Sequence, residues 1–201
     1  MSISRRNRTR SATGSKTADK EHAFDVISFV TGIIFVTGFD AVAGALTRMD
    51  VRGEKGIALK DEWRDGPRTY LGLQVAGFPN LFTGMGAHNA ANFCNAPRCG
   101  EQKVEWVTDC IRYLHSDDIE RISATVEAAE AWCEHCEQVV SNSLLLKTDS
   151  WFMGANIPGK KRMILGYGGG LPRYRAKCNE VAAAGCRGFV LEKRPAWRHR
   201  P

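Results

Sequence analysis

A chain of 201 residues, 43% hydrophobic and 25% charged, has an ordinary globular composition and enough length to enclose one substantial core or two small ones. Its net charge of +6 sits at the ends: residues 1–20 carry six basic side chains against Asp19, residues 192–201 carry four against Glu192, and the body is left at about −2. A body of that sign offers phosphates no basic platform and argues against nucleic-acid binding, while the strongly apolar run 26–39, uncharged between Asp25 and Asp40, falls short of the roughly 20 residues that cross a bilayer.

Residues 1–22 read as a disordered basic tail, rich in Ser, Thr and Arg without periodic apolar positions. No apolar stretch follows Arg5, Arg6, Arg8 and Arg10 before Ala23, which speaks against a secretory leader. Seven scattered cysteines, an odd number, suit a reducing compartment rather than a disulfide framework, so the expected location is the cytoplasm.

From Phe24 the run FDVISFVTGIIFVTGFD is dense in β-branched and aromatic residues and predicts a buried strand. It contains a duplication: the string FVTG begins at Phe29 and again at Phe35. An even spacing keeps the same side-chain face inward, so either copy fits one strand slot. Segments 56–63 and 67–75, broken by Gly53, Gly66, Pro67 and Gly77, predict short strands or turns, and 78–83 a brief strand. Close backbone approach is expected at Gly84 and Gly86.

Pro97 opens a predicted helix over 97–115 whose buried face is Val104, Val107, Ile111 and Leu114. Thr125 is positioned to cap a second helix with the stripe Ala128, Trp132, Cys136 and Val139. A third helix over 172–184 stops at Gly185, before a short strand over 188–191. The class is mixed α/β.

Three motifs suggest chemistry. Cys133 and Cys136 have the spacing of half a zinc site, but no second ligand pair accompanies them, and helix packing is the favoured reading; no metal is expected. His88 is either a general base or a hydrogen-bonding loop residue. Neither Gly84/Gly86 nor the triplet Gly168-Gly169-Gly170 supplies the G-x-G-x-x-G turn of a dinucleotide site.

The strings EHAFDVI, VTGFDAVAGAL, GPRTYLGLQVAGFPNLF, AHNAANFCNAPRC, EQKVEWVTDCIRYL, SWFMGANIPGK and YRAKCNEVAAAG, in this order, resemble the last third of type I Baeyer–Villiger monooxygenases. That resemblance implies an enzyme in which NADPH reduces FAD, the reduced flavin activates O2, and a ketone becomes an ester or lactone; the flavin supplies the difficult chemistry and the protein positions it. It also implies that both dinucleotide fingerprints and the catalytic arginine belong before the TGFD string, so no catalytic residue is assigned here. Carried over position by position, Thr37, Gly38 and Asp40 match TGFD where the chain returns to the flavin domain. Gly86 matches a loop glycine beside the flavin, with Ala87 where a proline is usual, a departure that predicts a looser loop. Asn95 and Ala96 match positions next to the isoalloxazine, where the following helix's amino end favours negative charge. Trp151 matches a tryptophan that meets NADP, with Asn156 and Lys160 nearby; a buried aromatic anchor is the competing reading. The family strand has one copy where this sequence has FVTG twice, an apparent six-residue insertion that puts its register in doubt.

The expected architecture is a tail over 1–22, the carboxyl-terminal part of an FAD-binding domain with a remnant flavoprotein sheet over 23–96, a mainly helical region over 97–191, and a basic tail over 192–201. FAD and NADPH are not expected to bind tightly to this chain alone. Ketone and O2 are its partners only when the missing regions are supplied, and exposed sheet edges predict self-association. The alternative is a non-enzymatic interaction module that uses its basic tails.

Overall fold

In the computed structural model, residues 13–16, 21–24, 40–90 and 94–194 are described. The chain divides into two units, Met1–Thr37 and Gly38–Pro201. In the first, β1 (Thr13–Lys16) and β2 (Glu21–Phe24) pair antiparallel, Thr13 opposite Phe24 and Lys16 opposite Glu21. This departs from the reading of 1–22 as structureless: a hairpin needs only a local turn, and a hydropathy pattern does not report it. The duplicated FVTG segment, with Thr37 and Gly38, lies outside the described residues.

Among its described residues, the second unit is built on three long helices and a two-stranded sheet. Helix α3 (Ala96–Ser116) starts at Asn95, whose side chain accepts the Arg98 backbone N–H at 3.2 Å, with a proline in the first turn. Helix α4 (Val126–Val140) is capped by Thr125, which accepts from Ala128 N at 3.1 Å. Helix α5 (Gly170–Ala183) gives way to Gly185 at φ +68, the left-handed turn expected there. Strands β3 (Ile119–Ala124) and β4 (Phe189–Lys193) pair antiparallel. Asn80 covers the other edge of β3: its N–H reaches Ile122 O at 2.9 Å, and its side chain bridges Ile122 N and Glu120 O. That is one way to keep an edge from pairing with another chain.

On α3 the buried face is rotated from the expected one, of which Val107 and Leu114 still pack against the core. Cys99, Lys103, Trp106 and Cys110 point inward, while Val104 is 64% and Ile111 44% exposed. Both stripes have helical spacing. The one carrying Trp106 buries more surface and gives the indole N–H a partner, Cys178 O at 3.0 Å. On α4 the core residues are Ala129, Trp132, Cys136 and Val140, close to the predicted stripe, and Trp132 stacks on Tyr167 with ring centroids 5.3 Å apart.

Residues 40–90 form no strands. Helices α1 (Gly44–Thr47) and α2 (Leu59–Glu62) are single turns, and the rest is loop with a 3-10 turn at Glu54–Gly56 and two isolated bridges, Arg52 to Ala58 and Tyr70 to Gln74. Among the described residues the sheet expected over 23–96 is therefore represented only by β2, and the β content of the second unit lies in β3 and β4. A small core of Ala43, Leu59, Trp63, Val75 and Phe78 sits beside the main one. The close backbone approach falls at Gly72 (φ +65), where a Cβ would meet Asn89 N at 2.7 Å and Ala87 O at 2.8 Å; at Gly84 the space is open. Cys94 and Cys99 are joined as a disulfide across the start of α3, where free thiols were expected. It closes one helical turn rather than a framework. No helix among the described residues is long and apolar enough to cross a membrane.

Candidate functional site

Residues 86–90 form a loop with no regular structure, yet it is held from both sides. Thr83 N donates to Leu73 O and Thr83 Oγ1 to Gly72 O, at 2.8 and 3.0 Å. His88 N donates to Leu165 O at 3.0 Å, and Tyr167 N to Asn89 O at 3.0 Å. Ala87 is fully buried and its carbonyl faces the Thr69 hydroxyl at 3.3 Å. These bonds brace the backbone around Ala87, where the family pattern has a proline.

His88 is the centre of this arrangement. It is buried, in a left-handed conformation (φ +60), with Nε2 3.0 Å from Ile164 O. A carbonyl only accepts, so Nε2 carries the proton and Nδ1 of the neutral ring is an acceptor. Nδ1 faces Thr69 Oγ1 at 3.1 Å and Cys133 Sγ at 3.7 Å, and His88 O accepts the Trp132 indole N–H at 3.0 Å. Burial pushes the imidazole pKa down to about 4, against the smaller upward pull of its bond to Ile164. Of the two readings for His88, the hydrogen-bonding one describes it: the ring is a neutral clasp between the loop, α4 and the 163–167 segment. Cys133 and Cys136 lie on α4 beside it with thiols raised mainly by burial, and among the described residues no three potential ligands converge on a metal position.

The 163–167 segment links this loop to the next. Leu165, whose carbonyl holds His88, donates its N–H to Phe152 O at 2.8 Å, and Met163 N reaches Met153 O at 3.1 Å. Trp151 therefore stands two hydrogen bonds from the 86–90 loop. It stacks on Phe152 (centroids 4.0 Å) and remains 39% exposed, so the buried-anchor reading does not hold. Lys160, in the same stretch, pairs with Asp40 at 2.5 Å. Sequence reading had given these residues separate roles; the fold engages Asp40's carboxylate with Lys160 across 120 positions of chain.

Asn95 and Ala96 open α3, which reaches the loop through Lys103 Nζ donating to Asn89 Oδ1 at 3.1 Å, while the Cys94–Cys99 disulfide packs against the Ala90 carbonyl, 3.2 and 3.7 Å from its two sulfurs. Gly86, Ala87, Asn95, Ala96 and Trp151 thus lie on segments connected by short hydrogen bonds, with Asp40 tied in by its ion pair; Thr37 and Gly38 fall outside the described residues. Lys103 went unnoticed in the sequence. It is fully buried on α3, with Nζ 3.1 Å from Asn89 Oδ1 and 3.4 Å from Met85 Sδ, and burial brings its pKa down to about 8. The signal available was its spacing from Cys99 and Trp106, four and three residues, on one helix face.

No protein-family profile matches the chain. It is 43% identical over 171 residues to the acetone monooxygenase (methyl acetate-forming) of Gordonia sp. (strain TY-5), and 43% identical over 178 residues to the cyclopentanone 1,2-monooxygenase of Comamonas sp. (strain NCIMB 9872). These matches cover 85% and 89% of this chain, and 31% of each relative. The crystal structure of cyclohexanone monooxygenase from Rhodococcus sp. Phi1 bound to NADP+ superimposes with a TM-score of 0.76 at 39% identity, over 87% of this chain and 31% of that one. The chain belongs to the Baeyer–Villiger monooxygenases. It corresponds to a carboxyl-terminal portion of them and spans about a third of the length of the relatives it matches. Another monooxygenase neighbour, the OTEMO complex with FAD and NADP, has a TM-score of 0.72 at 39% identity. Family members thus hold both cofactors in their structures.

Proposed function

We propose that this chain is the carboxyl-terminal segment of an FAD- and NADPH-dependent Baeyer–Villiger monooxygenase acting on ketones, and that it turns over only with the family's dinucleotide-binding regions beside it. One observation carries the reading. The 86–90 loop, α3 and the 151–165 stretch are cross-braced by short hydrogen bonds, yet the 201 residues contain no G-x-G-x-x-G turn to cradle a pyrophosphate. The segment fits one edge of a flavin and one side of a nicotinamide nucleotide, not the whole of either.

Within that edge the residues have distinct parts. FAD, when bound, supplies the oxygen-transfer chemistry. Asn95 and Ala96 place the positive end of the α3 dipole at the flavin ring, favouring negative charge there; Asn95 spends its own side chain on Arg98 N, so its part is to fix the helix start rather than to grip the ring. Gly86 and Ala87 offer a rigid loop wall. Trp151 offers a half-exposed aromatic face to NADP, on a stretch anchored by the Lys160–Asp40 pair.

The test is NADPH oxidation in the presence of cyclohexanone, measured with this chain alone and with a second polypeptide carrying the family's flavin and nicotinamide regions. Ketone-dependent oxidation in the mixture and none with the lone chain is the expected result. Turnover by the lone chain, or none in a mixture shown to associate, would overturn the proposal.

A further inference from the structure

Five cysteines outside the disulfide remain as thiols: Cys110, Cys133, Cys136, Cys178 and Cys186. Two of them line one cavity away from the site described above. Cys110 projects from the last third of α3; Cys186 sits in the turn between α5 and β4, in a left-handed conformation (φ +58) fixed by Cys186 N to Val181 O at 3.0 Å and Phe189 N to Cys186 O at 3.0 Å. Both are buried, at 6% and 4% exposure, yet both line the same cavity of about 310 Å³, together with Trp106, Asp109, Tyr113 and Gly185. The cavity admits a small molecule to a thiol pair that the surrounding packing holds together.

We propose that Cys110 and Cys186 form a redox-active dithiol that reduces a small hydroperoxide entering this cavity and becomes a disulfide stapling α3 to the α5–β4 turn. Cys186 sulfur attacks the terminal oxygen of the hydroperoxide; the O–O bond breaks, the alcohol (water, for hydrogen peroxide) leaves with a proton, and Cys186 is oxidised to a sulfenic acid. Cys110 sulfur then attacks Cys186 sulfur, the S–O bond breaks, and the departing hydroxide takes the Cys110 proton as water. Two thiols lose two electrons and two hydrogens, and one hydroperoxide becomes one alcohol and one water.

The division of labour follows from the local chemistry. The neighbouring Cys110 thiol lowers the Cys186 pKa, whereas Cys110 itself is raised by the same neighbour and by burial. Burial instead raises Cys178 to about 11, and raises Cys133 and Cys136 as well. Cys186 is therefore the one of the five thiols whose environment favours the thiolate.

The test exposes the reduced, purified chain to hydrogen peroxide and maps its disulfides by mass spectrometry. The expected result is a Cys110–Cys186 cross-link forming before any oxidation of Cys133, with a thermal midpoint raised by about 10 °C through closure of the long intervening loop. In Cys110→Ser the sulfenic acid should persist on Cys186, where dimedone labels it. A second measurement needs no variant: N-ethylmaleimide should modify Cys186 first among the five thiols. Peroxide that oxidises Cys133 while Cys110 and Cys186 stay alkylatable, or maleimide that reaches Cys186 last, would overturn the proposal.

Discussion

Residues 40–90 and residues 96–194 reach buried cores by different routes. In the second region most backbone groups are satisfied locally, by α3, α4 and α5 and by the β3–β4 pair, and side chains need only fill the space between elements. In the first, single-turn helices and loops bury Leu71, Leu73, Val75, Ala87 and His88 with little regular structure. Their backbone groups are satisfied over distance, Thr83 by Leu73, His88 by Leu165, and Asn80 by Ile122. A core of helices tolerates local change wherever the packed face survives. A core of loops depends on a few long-range bonds, and these are also the bonds that shape the candidate site.

The comparison can be broken most directly where the two regions meet. Trp132 packs within the helical core and donates its indole N–H to His88 O, so Trp132→Ala should cost about 3–5 kcal/mol in urea unfolding. A cost in the range of an ordinary surface substitution would mean that the loop does not lean on α4. The next effect is in pH. His88 is neutral when folded, with a pKa of about 4 against 6.5 in the unfolded chain, so the unfolded state binds the extra proton between those values. Stability should be complete above about pH 6.5 and fall by about 3 kcal/mol as pH drops towards 4, and His88→Gln should flatten that slope. An unchanged slope in the variant would place the acid sensitivity elsewhere.

Smaller effects sharpen the contrast. Gly72→Ala puts a Cβ against the backbone of Asn89 and Ala87 at a left-handed position, where neither neighbour moves cheaply; about 2–3 kcal/mol should be lost, by the same unfolding measurement. Asn95→Ala removes only the cap of α3, a local device, and should cost about 1 kcal/mol with a matching small loss of helical circular dichroism. If the cap proved costlier than Gly72, the helical region would be the fragile one and the comparison would be reversed.

The same contrast explains what could be read beforehand. Helices α3, α4 and α5, the Thr125 cap and the Gly185 stop are written in local spacing and residue type, and all were predicted within a few residues. The buried stripe of α3 was assigned one position off because Val104-Val107-Ile111 and Lys103-Trp106-Cys110 have the same spacing, and only tertiary contacts decide between them. Residues 40–90 leave no periodic trace: of the short strands or turns expected over 56–63 and 67–75 no strand forms, and the brief strand expected over 78–83 is loop. Of the candidate site, the segments are proposed from their resemblance to the family; the Asp40–Lys160 pair and the His88 clasp were not legible, since partners 120 and 76 positions apart have no local signature.

The central claim is that these residues shape the edge of a flavin site without gripping the cofactor. Gel filtration of the purified chain with excess FAD, followed by an absorbance spectrum of the protein peak, tests it in one step. The account predicts a colourless peak for the lone chain. A yellow peak holding FAD in equal amount to protein would contradict it.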